Sequence, residues 1–131
     1  MASRRAFIAC AICSAVGLVA TGVTPAAAQG IQRKTLSTID YPGDGKVSIL
    51  MTLEAPEGTV IPRHTHPGIE SSVVTKGELE LEMQGLPTRR LVAGEGFQVP
   101  PGLPHGGRTL TKCRLAITYV VEKDKPLASP A

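Results

Sequence analysis

The chain has 131 residues, 42% hydrophobic and 19% charged, which fits one folded domain and excludes a disordered chain. Its 14 Gly and 11 Pro predict many turns between short strands rather than long helices. With no Trp, two Tyr, two Phe and a net charge of +3, it lacks both a stacking platform and a strongly basic face, so no nucleic-acid partner is expected.

Arg4 and Arg5 open the chain, and no charged residue follows from Ala6 to Ala28. The apolar run from Ala6 to Ala20, the helix-breaking Pro25 and the small residues Ala26-Ala27-Ala28 have the form of a secretory leader. Residues 1–28 are therefore expected to leave as a signal peptide, and residues 29–131 to form a single mature domain. The alternative is an uncleaved anchor, since 23 uncharged residues can just cross a bilayer. The Thr, Gly and Pro content and the Ala-x-Ala site argue against it. A periplasmic or secreted location follows, with no stable membrane insertion after cleavage. Ser3-Arg4-Arg5-Ala6-Phe7 resembles the twin-arginine export signal of bacteria, although no basic residue guards the cleavage site.

Loss of Arg4 and Arg5 takes the 14 basic residues to 12, against 11 acidic, for a mature net charge of +1. Cys10 and Cys13 leave with the leader, so Cys113 has no intramolecular disulfide partner and reads as a packed thiol. The fold must then rest on its apolar core, on a metal or on a partner subunit, and a homodimer fits that requirement.

Three segments alternate with period two. Val47, Ile49, Met51 and Leu53 share one face of the first. Leu79, Leu81 and Met83 alternate with Glu78, Glu80 and Glu82 in the second, and the three glutamates read as a solvated strand face. Cys113, Leu115, Ile117, Tyr119 and Val121 share a face of the third. Such alternation means half-buried strands. Turn signals separate them, among them Pro42-Gly43-Asp44-Gly45, Gly85-Leu86-Pro87 and Pro100-Pro101-Gly102. No helical stripe is present, which points to an all-β sandwich or small barrel. The polar tail from Lys123 to Ala131 is expected to fray.

The three histidines of the chain are His64, His66 and His105. His64 and His66 lie two apart on a strand-like segment, so both face the same way, with Thr65 between them facing out. Glu70 follows the Pro67-Gly68 turn, and His105 follows the rigid run Pro100-Pro101-Gly102-Leu103-Pro104. Three imidazoles and a carboxylate make a mixed N/O set suited to a divalent transition metal, whether Mn, Fe, Co, Ni or Zn. Arg63 should point away from the metal face by alternation. Gln98 and Tyr119 can reach a cavity from neighbouring strands, with ordinary packing the favoured role for each. No second carboxylate or free base stands beside the cluster.

At this point a resemblance emerges. Gly58-x5-His64-Thr65-His66-x3-Glu70-x6-Gly77 is similar to the first motif of the cupin superfamily at every specified position, and Gly94-x5-Pro100-Pro101-Gly102-x2-His105 to the second. The family's Asn after the second motif is Thr109 here, a departure that touches a local turn. The resemblance implies a double-stranded β-helix, the jelly-roll barrel of roughly six to eight strands. It also implies that His64, His66, Glu70 and His105 are metal ligands. Only 16 residues separate Gly77 from Gly94, too few for an inserted lid, so the barrel mouth is expected to be open.

Four protein ligands on a metal that prefers six leave two open positions. The first expectation is an exported metalloenzyme, an oxidoreductase of the dioxygenase kind, acting on a small molecule at the metal. The alternative is a protein that holds a metal or small ligand without turnover, because cupins serve both ends.

Overall fold

The computed structural model describes residues 30–131, and the expected leader lies outside them. Ten strands follow in order: β1 (Gln32–Tyr41), β2 (Lys46–Ala55), β3 (Val60–Thr65), β4 (Gly68–Lys76), β5 (Glu78–Met83), β6 (Arg89–Val92), β7 (Gly96–Val99), β8 (His105–Thr109), β9 (Cys113–Glu122) and β10 (Ser129–Pro130). No helix occurs among the described residues. The strands form two five-stranded antiparallel sheets, ordered β1-β2-β9-β4-β7 and β10-β3-β8-β5-β6.

The alternation is what closes them into a jelly roll. Cys113, Leu115, Ile117, Tyr119 and Val121 of β9 are all buried, as are Val47, Met51 and Leu53 of β2. Leu79, Leu81 and Met83 face them from β5 across the core. Glu78 and Glu80 turn outward and pair with Arg90 and Arg108 on the neighbouring strands. Exposed pairs of that kind contribute little stability. Cys113 is a free buried thiol.

Gly77 shows why the turns need glycine. Its φ is +82°, and a Cβ there would lie 2.1 Å from the carbonyl oxygen of Lys112, so both conformation and space exclude a side chain. The buried Thr109 hydroxyl accepts from the Thr59 N–H at 2.8 Å and donates to the Pro56 carbonyl at 2.6 Å, tying the β2–β3 turn to β8.

Two features depart from the sequence reading. β1 has no alternation to betray it, because every residue in it is exposed at the edge of its sheet; only its ladder to β2 defines it. The tail also does not fray. Ser129 and Pro130 pair with Thr65 and His64, the Ala131 N–H donates to the Arg63 carbonyl, and Leu127 packs against the core. The polar composition concealed this, since one leucine and a free strand edge on β3 are sufficient to dock the segment. Residues Leu127 to Pro130 form part of the cavity wall.

Candidate metal centre

Both sheets contribute to the cluster. β3 is irregular between Ile61 and His64, around Pro62, and beyond that break His64 lies opposite His105 of β8. Their ring centroids are 4.3 Å apart. His66 follows the end of β3. Glu70 arrives from the other sheet on β4, opposite Tyr119 of β9 and Val99 of β7. The fold thus brings together all four residues singled out by sequence, and one donor atom from each lies within 4.8 Å of the others. His66, Glu70 and His105 are buried.

The donor set has a specific polarity. His64 Nδ1 donates to the Pro62 carbonyl at 2.7 Å, His66 Nδ1 to the Leu127 carbonyl at 2.6 Å, and His105 Nδ1 to the Leu103 carbonyl at 2.9 Å. A carbonyl only accepts, so each Nδ1 carries the proton and each neutral ring turns the lone pair of Nε2 inward. Those atoms converge. His64 Nε2 and His66 Nε2 are 3.1 Å apart, and Glu70 Oε2 is 3.0 Å from both His66 Nε2 and His105 Nε2. Neighbouring ligands at about 2.1 Å from a metal and about 90° apart are separated by about 3.0 Å. Lone pairs at such distances repel unless a cation or a proton lies between them, so the donor set fits a divalent metal. Ser72, one alternation step beyond Glu70 on β4, donates to Glu70 Oε1 at 2.6 Å and orients the carboxylate.

Electrostatics inside the cluster run in opposed directions. Burial works to raise the Glu70 pKa, but the hydrogen bonds that His105 and His66 donate once protonated at Nε2, together with the one from Ser72, outweigh it and hold the carboxyl well below its usual range. Burial pushes His64 down. Burial opposes protonation of His105 too, but the bond to Glu70 reverses the outcome and raises it. As pH falls, His105 therefore takes a proton before an ordinary histidine would, while Glu70 stays ionised. Metal binding needs the neutral ring, so acidification from pH 7.5 through about 6 is expected to release metal. Dialysis across that range followed by metal analysis checks this; occupancy unchanged at pH 5 is the contrary result.

The cluster lies in the wall of a cavity of about 380 Å³. Its other walls are mainly apolar, with Met51, Leu53, Leu79, Leu115 and Ile117 among them. Tyr119 is packed in the core, as expected, and also lines this site: its ring lies 4.7 Å from that of His66. Burial pushes its phenol pKa well up, the Glu70 carboxylate adds to the effect and the Arg33 guanidinium opposes it, so the phenol stays protonated. Gln98 is not in the cavity; it donates to Ser71 on the outer face. Arg63 is exposed at the rim and donates to Gln84. A wider depression of about 670 Å³ on the outside of the first sheet has no histidine or carboxylate in its lining.

Sequence reasoning missed three participants. Ser72 was recoverable, being two residues from Glu70 on one strand face. Arg33 and the Leu127 carbonyl were not, because nothing local marks them.

Comparison with known proteins agrees with this architecture. Dimethylsulfoniopropionate lyase DddQ of Ruegeria pomeroyi is 39% identical over 62 residues, covering 47% of this chain and 31% of that protein. The DddQ crystal structure matches with a TM-score of 0.64 at 26% identity, over 78% of this chain and 52% of that one, so this chain spans about half of its relative. KdgF from a Halomonas species matches with a TM-score of 0.56 at 28% identity, over 72% and 82% of the two chains. A cupin superfamily protein from Desulfitobacterium hafniense has a TM-score of 0.62 at 12% identity over 75% and 89%, a likeness of fold alone. The cupin domain model matches residues 51–121, more than half of the chain and all four residues of the cluster, and the chain therefore belongs to the cupin family.

Proposed function

We propose that this protein is an exported metalloenzyme that acts on a small molecule bound at a centre held by His64, His66, Glu70 and His105. The observation that carries the reading is the inward convergence of three Nε2 lone pairs and one carboxylate, each ring fixed by a backbone carbonyl. A divalent metal there would supply Lewis-acid or redox chemistry at the positions the protein leaves free. The chain's own part is to orient the ligands, to hold Tyr119 as a protonated donor beside them, and to limit water through apolar walls and the docked tail.

Oxidoreductase chemistry with O2 is the reaction class carried forward from the sequence. A lyase is the second reading, supported by the identity with DddQ and by a protonated phenol at the cavity wall. Protein recovered natively from the periplasmic fraction is the right material for the test. N-terminal sequencing is expected to begin at Gln29, metal analysis to find about one redox-active divalent ion per chain, and exchangeable water to be detectable at the ion. Oxygen uptake with a panel of small acids then separates oxidation from elimination without O2. Zinc in a site closed to water, with no turnover, would instead make this a binding protein.

A further inference from the structure

Arg33 of β1 stands opposite Leu53 of β2, Leu53 opposite Leu115 of β9, and Leu115 opposite Val74 of β4. Directly opposed residues share a sheet face. Leu53, Leu115 and Val74 are buried in the core, so Arg33 ends an inward-facing row and contributes to the wall of the cavity that holds the metal cluster. Lys34, the next residue, falls on the other face. Two arginines contribute to the cavity lining and neither makes an ion pair among the described residues: Arg63 is engaged with Gln84, whereas the exposed Arg33 makes no side-chain hydrogen bond there. A planar guanidinium without a counter-ion, at the edge of an apolar chamber, is suited to receive an anionic head group in fork geometry. A chamber of about 380 Å³ is in the size range of small-ligand sites.

We propose that the ligand of this cavity is a small organic monoanion whose carboxylate is held by Arg33 and whose apolar body lies along Met51, Leu53 and Leu115, beside the His/Glu cluster. The assignment of this ligand as substrate rests on the metalloenzyme reading; the anion site itself does not. Arg33 contributes specificity, selecting for charge at one end and apolar length at the other.

Calorimetric titration of metal-loaded and chelator-stripped protein with acetate, butyrate, butyramide and inorganic phosphate tests it. Butyrate is expected to bind about tenfold more tightly than acetate, because two more methylenes are buried, and at least tenfold more tightly than butyramide or phosphate. Arg33→Gln should weaken butyrate at least tenfold, leave butyramide unchanged, and keep metal content and melting temperature. Arg33→Lys should fall between, and Lys34→Gln should match the wild type. Equal butyrate binding by wild type and Arg33→Gln overturns the proposal, as does phosphate binding as tightly as butyrate. Butyrate binding that vanishes on metal removal yet ignores Arg33→Gln also overturns it, since the carboxylate would then sit on the metal. Failure of the metalloenzyme reading appears separately, as wild-type protein that binds no metal, and the stripped-protein titrations report on Arg33 in that case.

Discussion

His66→Ala and His105→Ala are each expected to reduce the metal content of purified protein to a small fraction of the wild-type value. Each change removes one of the convergent donors, and leaves Glu70, which sits 3.0 Å from both, with one imidazole partner fewer. The loss of affinity should exceed the roughly 10- to 100-fold typical of losing an outer hydrogen-bond partner. His64→Ala should behave similarly. Glu70→Gln should be milder in occupancy, since the amide oxygen can coordinate while its NH2 donates to the Ser72 hydroxyl, but the lost negative charge should alter the reactivity of the metal. Glu80→Gln is the control: Glu80 pairs with Arg108 on the outer face of the sheet and should be silent. Metal per chain, with circular dichroism to verify the β fold, decides the matter. Full occupancy in His105→Ala, or equal metal loss in Glu80→Gln, would remove the basis for the site.

Deleting Pro126 to Ala131 should weaken metal binding about 10- to 100-fold and lower the melting temperature. The tail supplies the carbonyl of Leu127 that fixes His66 with Nε2 facing inward, and it pairs with β3 at His64 and Thr65. Without that acceptor the His66 ring can rotate or change tautomer, a cost the metal must then offset. Leu127→Ala separates the two contributions. It removes a half-buried side chain, worth at most about 2 kcal/mol at such exposure, but keeps the carbonyl. It should therefore lose stability while holding metal nearly as well as the wild type. If the deletion retains wild-type affinity, the tail covers the cavity without positioning its ligand.

The sequence reading reached the cluster because its residues sit in two motifs of fixed spacing: His64 and His66 two apart with Glu70 just beyond a Pro-Gly turn, and His105, 39 residues after His66, just beyond a proline-rich one. The strands β2, β5 and β9 were legible for a similar reason, since a sheet with one buried face writes period-two alternation into its residues. β1 and β10 were not. Both are edge strands with little or nothing buried, so their side chains carry no record of the pairing, and backbone hydrogen bonds decide their position.

What the sequence alone determined was the family, the all-β class and which four residues make up the candidate cluster, because each depends on residue types at fixed separations within motifs and strands. The tertiary structure decided how those donors face one another and what surrounds them. The inward orientation of each Nε2 depends on carbonyls of Pro62, Leu103 and Leu127, and a carbonyl belongs to every residue, so no sequence pattern announces which one will serve. Tyr119 enters the site only because β9 pairs with β4 in the register that sets it opposite Glu70. Arg33 reaches the cavity because β1 adds to β2 in the register that sets it opposite Leu53, and a slip of one residue would have turned Lys34 inward instead.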